Sequence, residues 1–220
     1  MLSRRTLLAA APFFAAEPRS VFDGESTQGW RAVGGGEFPT RCWTVEDGCL
    51  KAKVSLPAFQ DIRTVDEFAD FDLEFEWKVA PNGNSGVKYL IYREDVWKPA
   101  GSTEAHARGR GFEYQIADGT AARKALEAAG GLYEFQAPAR LMARPAGEFN
   151  KGRIVRRGAT VEHWLNGERV VELRLDQPEL MERMRSRKVP TELPRRTPIV
   201  LQNHASEAWF RRLQIRDLSI

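Results

Sequence analysis

Glu113 and Gln115 stand two residues apart in the stretch Gly111-Phe112-Glu113-Tyr114-Gln115-Ile116-Ala117-Asp118. Apolar Phe112, Tyr114 and Ile116 alternate with them, the period of a strand that buries one face. The carboxylate and the amide then share the opposite face, roughly 7 Å apart along the strand. Such a pair both donates and accepts, which suits sugar hydroxyls. A solvated outer strand face is the competing reading of the same octapeptide.

The chain holds three histidines, His106, His163 and His204. His204 follows Gln202 at strand spacing, so the two are expected on one side. His163 shares a side with Val161 and Leu165, which favours a satisfied core histidine. His106 lies in a polar stretch that reads as loop. Glu113, Asp118, His163 and His204 form an oxygen and nitrogen donor set, but no spacing among them demands a metal. No cofactor is expected, and a divalent metal stays open.

These residues need a framework. Phe68 to Val79 has the most regular alternation in the chain, with Phe71, Leu73, Phe75 and Trp77 on one side, and predicts a central antiparallel strand. Val87 to Tyr92 predicts the next strand after the Pro81 to Gly86 turn. Residues 94–110 show no period and read as a long loop. Ala121 to Ala129 predicts a short helix stopped by Gly130-Gly131. Thr160 to Leu165 and Arg169 to Leu175 flank Asn166-Gly167, the strongest hairpin signal present. Residues 178–194 allow another short helix, and 198–204 and 208–220 are closing strands. Many short strands with little helix indicate an all-β sandwich or jelly roll.

Net charge is +3 with the basic residues dispersed, which gives nucleic-acid binding little support. The N-terminus, Ser3-Arg4-Arg5-Thr6-Leu7-Leu8 followed by a short apolar run, reads as a twin-arginine-like export signal over residues 1–19. Residues 20–220 are then one domain, expected in the periplasm or outside the cell. No later segment is apolar and long enough for stable membrane insertion. Export permits a disulfide, so Cys42 and Cys49, on either side of the Asp47-Gly48 turn, are either bonded or two buried thiols.

An ordered set of motifs spans the chain: Phe22-Asp23-Gly24, Trp43-x-Val45-x-Asp47-Gly48, Phe71 to Trp77, Gly83-Asn84-Ser85-Gly86 and Gly111 to Asp118. Gly131-Leu132-Tyr133, Glu148-Phe149-Asn150, His163 to Gly167, Leu201-Gln202-Asn203-His204 and Phe210 to Ile215 complete it. In this set the sequence resembles the 3-keto-disaccharide hydrolase family. The resemblance implies a concanavalin-like jelly-roll sandwich of two antiparallel sheets with one short helix, acting on carbohydrate in a groove. It departs from the family where an Arg is expected about four residues after the Asn-Ser-Gly turn. Here Lys88 or Arg93 would supply that charge.

Retaining glucanases of the same fold carry Glu-x-Asp-x-x-Glu, and Glu113-x-Gln115-x-x-Asp118 has that spacing with altered residues. Retaining hydrolysis needs two carboxyl groups about 5–5.5 Å apart, whereas residues five apart on a straight strand lie roughly 16 Å apart. Elimination from a 3-keto sugar needs only a base, an acid and donors for an enolate oxygen. On this reading Glu113 and His204 are catalytic. Asn84, Lys88, Gln115, Asp118, Asn150, His163 and Gln202 bind substrate, and Tyr92 and Trp97 are candidate stacking rings. A non-catalytic carbohydrate-binding module and a conventional glucanase are the alternatives.

Overall fold

The computed structural model describes residues 17–54, 59–98, 106–120 and 124–219, so the stretch expected to be an export signal lies almost wholly outside the described residues. The strands are β1 (Arg19–Ser20), β2 (Trp30–Ala32), β3 (Trp43–Glu46), β4 (Cys49–Ala52), β5 (Ile62–Thr64) and β6 (Phe71–Val79). They continue as β7 (Asn84–Trp97), β8 (His106–Ala117), β9 (Asn150–Arg157), β10 (Thr160–Leu165), β11 (Glu168–Arg174), β12 (Val200–Leu201) and β13 (Ala208–Asp217). One α-helix, α1, spans Pro178–Ser186.

Two antiparallel sheets result. The larger runs β11-β10-β9-β6-β13-β4-β3, with β1 also on β13; the smaller runs β2-β5-β12-β7-β8. The regular alternation of Phe71 to Val79 does put β6 at the centre of the large sheet. Phe71, Phe75, Trp77 and Phe210 from the large sheet meet Tyr89, Phe112, Tyr114 and Ile116 from the small one, all buried. Phe75 and Tyr114 join the layers edge to face, with centroids 5.3 Å apart. This is the expected jelly-roll sandwich.

The Asn166-Gly167 hairpin forms with both residues at positive φ, 51° and 93°, the geometry that favours these residue types. The Asp47-Gly48 hairpin also forms, but Glu46 faces Cys49 while Cys42 lies beyond the Trp43–Ala52 pair. The two cysteines are therefore at opposite ends of the hairpin. They are free, buried thiols, and burial pushes both their pKa values up.

Three expectations need correction. Most of the stretch read as a loop over 94–110 is strand: β7 runs on to Trp97 and β8 starts at His106. Charged Arg93, Asp95 and Arg110 hid the alternation because they pair with one another on an exposed face. The predicted helix over 121–129 is, among the described residues, a single 3-10 turn at Ala125–Glu127. Its downstream backbone is claimed by the edge of β8, since Gly130 N–H donates to Gln115 O and Tyr133 N–H donates to Glu113 O. Tertiary pairing outweighs local helix propensity there. The strand expected over 198–204 is reduced to Val200–Leu201. No helix among the described residues is long and apolar enough to cross a membrane.

Candidate active site

Because Phe112, Tyr114 and Ile116 of β8 enter the core, Glu113 and Gln115 must face outward from the small sheet. Antiparallel pairing then fixes their neighbours. Glu113 lies opposite Lys88 of β7, Gln115 lies opposite Gly86, and Lys88 lies opposite Val200 of β12. Gln202 N–H donates to Gly86 O, so Gln202 and Gln115 flank Gly86 from two sides. Glu113, Lys88, Gln115 and Gln202 line a cavity of about 340 Å³ that also includes Asn84, Tyr92, Arg108, Tyr133 and His204.

Gly86 creates the central space. A Cβ built there would lie 2.5 Å from Glu113 Oε1 and 2.7 Å from its Cδ and Cγ. The Glu113 side chain thus lies folded over the Gly86 backbone. In that position Gln202 Nε2 donates to Glu113 Oε2 at 3.4 Å, and Lys88 Nζ stands 3.8 Å from the same oxygen. Lys88 is itself held from below by fully buried Asp61, with Nζ to Oδ2 at 2.9 Å. Asp61 also accepts the Asn203 and Gly109 N–H groups.

Burial pushes the Glu113 carboxyl up to about 7, against the opposing pull of the Lys88 charge. The carboxyl is therefore poised near neutrality, as a general base or acid requires. Gln115 donates from Nε2 to Asn84 Oδ1 at 2.8 Å. The Oε1 atoms of Gln115 and Gln202 are buried without a partner, so the cavity presents two unmet acceptors beside Glu113. His204 is exposed at the rim. Partial enclosure, then the Arg108 and Lys88 charges, lower its pKa.

The structure therefore brings together Glu113, Gln115, Asn84, Lys88, Gln202 and His204. It does not bring Asp118, Asn150 or His163 to them. Asp118 caps its own turn, accepting the N–H groups of Asn82 and Thr120 and the Thr120 hydroxyl. Asn150 is on the large sheet, where its Oδ1 accepts Arg144 N–H and Asn166 Nδ2. His163 is fully buried between the layers. Its Nε2 pairs with the Tyr89 hydroxyl at 2.8 Å and its Nδ1 with Gly130 O at 3.0 Å, and burial drives its pKa down to about 4.

The donor set of Glu113, Asp118, His163 and His204 is accordingly dispersed, and no group of three metal-ligating side chains occurs among the described residues. His106 is not a solvated loop residue. It is buried on β8 against Phe59 and Trp97, at centroid distances of 4.1 and 5.4 Å. Trp97 therefore packs in that cluster, and Tyr92 reaches the cavity wall.

Sequence reasoning missed Asp61 and Arg108. Asp61 precedes Ile62 and Arg63 in a three-residue strand too short to show a period, and nothing local marks it as the buried counter-ion of Lys88. Arg108 fell in the stretch read as loop. Of the two cations offered for the missing Arg, Lys88 faces Glu113, whereas Arg93 pairs with Asp95 on the surface.

Comparison with known proteins places the chain among carbohydrate-active relatives. A 3-keto-disaccharide hydrolase of Bacteroides thetaiotaomicron is 27% identical over 236 aligned residues, covering 90% of this chain and 78% of that protein. A candidate glycosyl hydrolase of Parabacteroides distasonis has a TM-score of 0.74 at 24% identity, over 92% of this chain and 94% of that one. The Bacillus licheniformis beta-glucanase shares the fold at a TM-score of 0.51 and 10% identity, over 92% and 98% of the two chains. The 3-keto-alpha-glucoside-1,2-lyase-like domain matches residues 17–216, and the chain belongs to that family.

Proposed function

We propose that this protein cleaves the glycosidic bond of 3-keto-glucosides by elimination followed by hydration. The observation that carries the reading is the Glu113 carboxyl, with its pKa near 7, set 3.8 Å from the Lys88 ammonium on the floor of the cavity. In a 3-keto sugar the acidic C2–H and the C3 carbonyl are adjacent. A base and a cation placed side by side match that pair.

Glu113 takes the C2 proton while Lys88 stabilises the enolate charge gathering on O3. The electron pair then forms the C1=C2 bond as the C1–O bond breaks. The departing oxygen takes a proton, which His204 delivers from the rim. Water adds across C1=C2, its oxygen to C1 and a proton to C2, and the net reaction is hydrolysis. Gln115, Gln202 and Asn84 hold the sugar hydroxyls, which satisfy the two buried Oε1 acceptors. Asp61 keeps Lys88 in place.

The glucanase alternative loses its second carboxylate, since Asp118 is occupied in its own turn. The names of the relatives favour carbohydrate substrates, and the twin-arginine-like leader favours a reaction outside the cytoplasm.

The test is incubation with a 3-keto-glucoside and its unoxidised parent in deuterated water, with product analysis. Cleavage of the keto sugar alone, with deuterium at C2 of the product, is expected. Equal cleavage of both, or a product without deuterium at C2, defeats the elimination. Binding without any product returns the protein to a carbohydrate-binding role.

A further inference from the structure

The cavity wall carries four cations, and three have an acidic partner. Lys88 pairs with Asp61 at 2.9 Å, Arg110 with Asp95 at 2.7 Å and Arg187 with Glu134 at 2.6 Å. Arg108 makes no ion pair among the described residues, and its Nε is buried without a hydrogen-bond partner. Its guanidinium lies over two rings instead, 4.9 Å from the Phe59 centroid and 5.4 Å from that of Trp97. Aromatic faces fix the plane of a guanidinium but leave its charge and its forked donors unsatisfied. The same cavity also holds Gln115 Oε1 and Gln202 Oε1 as unmet acceptors. It thus calls for donors at the two amides and for an acceptor at Arg108, ideally a planar anion that takes both arms of an Arg.

We propose that Arg108 receives a carboxylate of the substrate, so that the preferred glycosides of this site are acid-bearing ones. The inference rests on the reading of the cavity as a 3-keto-glycoside site and adds the class of leaving group. Arg108 and Glu113 line the same cavity, and the Arg108 charge reaches the Glu113 carboxyl. The 3-keto-glucosyl half of the substrate carries no carboxylate of its own, so the carboxylate belongs to the leaving half of the molecule.

The probes are the 4-carboxyphenyl 3-keto-glucoside and its carboxamide isostere. Equilibrium binding of each is measured by calorimetry to the Glu113→Gln protein, with and without Arg108→Gln. The carboxylate is expected to bind about tenfold or more tighter than the amide. That preference falls toward unity with Arg108→Gln, survives in part with Arg108→Lys, and shrinks as salt is raised. Melting curves confirm that the variants are folded. Equal binding of the two probes, or a preference that survives Arg108→Gln, overturns the assignment of Arg108 and leaves the 3-keto-glycoside site standing. If neither probe binds and the wild type cleaves no 3-keto-glucoside, the site reading and this proposal fall together.

Discussion

Gly86→Ala isolates the placement of Glu113 from its chemistry. Gly86 is an extended strand residue, so alanine meets no backbone strain there. The new methyl would lie 2.5 Å from Glu113 Oε1, whereas ordinary contact begins at 3.4 Å, so the carboxylate must retreat by about 0.9 Å. A displacement of about 1 Å in a reacting group costs on the order of 100-fold in rate. The side chain that yields is flexible at its end, and alanine also restricts the unfolded chain. Stability should therefore change by less than about 1 kcal/mol, a few degrees in Tm for a chain of this size. The assay is kcat on a 3-keto-glucoside across pH, beside thermal melting. A folded protein with kcat reduced about 100-fold is expected, and Gly86→Ala added to Glu113→Gln should cost almost nothing further. Wild-type kcat with an unchanged pH profile in Gly86→Ala would refute the placement of Glu113 over this glycine as the basis of catalysis.

Further outcomes follow from the same geometry. With Glu113 as base, the rate of C2 proton abstraction, read as C2 deuterium exchange, should rise with pH through an inflection near 7, and Lys88→Met should move that inflection upward because the Lys88 charge lowers the Glu113 pKa. A carboxyl raised in the folded state binds its proton more tightly there than in the unfolded chain. Its contribution to stability is therefore present below about 4.5 and lost as pH rises through about 7. Glu113→Gln should then melt above the wild type at pH 8, by up to about 3 kcal/mol, with a smaller difference at pH 5. His163→Ala should destabilise the fold by about 2 to 4 kcal/mol, because it strands the Tyr89 hydroxyl and Gly130 carbonyl, while catalysis by the folded fraction persists. Asp61→Asn should reduce kcat by loosening Lys88, and a normal kcat in that variant would remove Asp61 from the site's support.

Much of the framework was legible along the chain because its signals are local. Alternation in Phe71 to Val79 and in Phe112 to Ile116 depends only on each strand having one buried face, and both strands formed as read. Asn166-Gly167 turns for reasons contained in those two residues. Glu113 and Gln115 were accessible for the same reason, since the face opposite a buried strand face is known once the period is known. The long ends of β7 and β8 were not legible, because their charges are satisfied across the hairpin by partners that sequence order separates. The Ala121 to Ala129 stretch misled in the opposite sense, as its residues favour helix but the β8 edge takes the backbone that follows.

By itself the sequence determined an all-β chain, a strand with a carboxylate and an amide on its free face, and a set of motifs that belong together. It did not determine which distant side chains meet. Asp118, Asn150 and His163 have suitable chemistry, and the folded chain spends it on a turn, a loop anchor and the space between the sheets. Asp61 and Arg108 carried no local signal, yet the fold sets one beneath Lys88 and the other in the cavity wall. The physical reason is that strand period decides only the face on which a residue emerges, whereas cross-strand register, and a glycine at the right rung, decide what stands beside it.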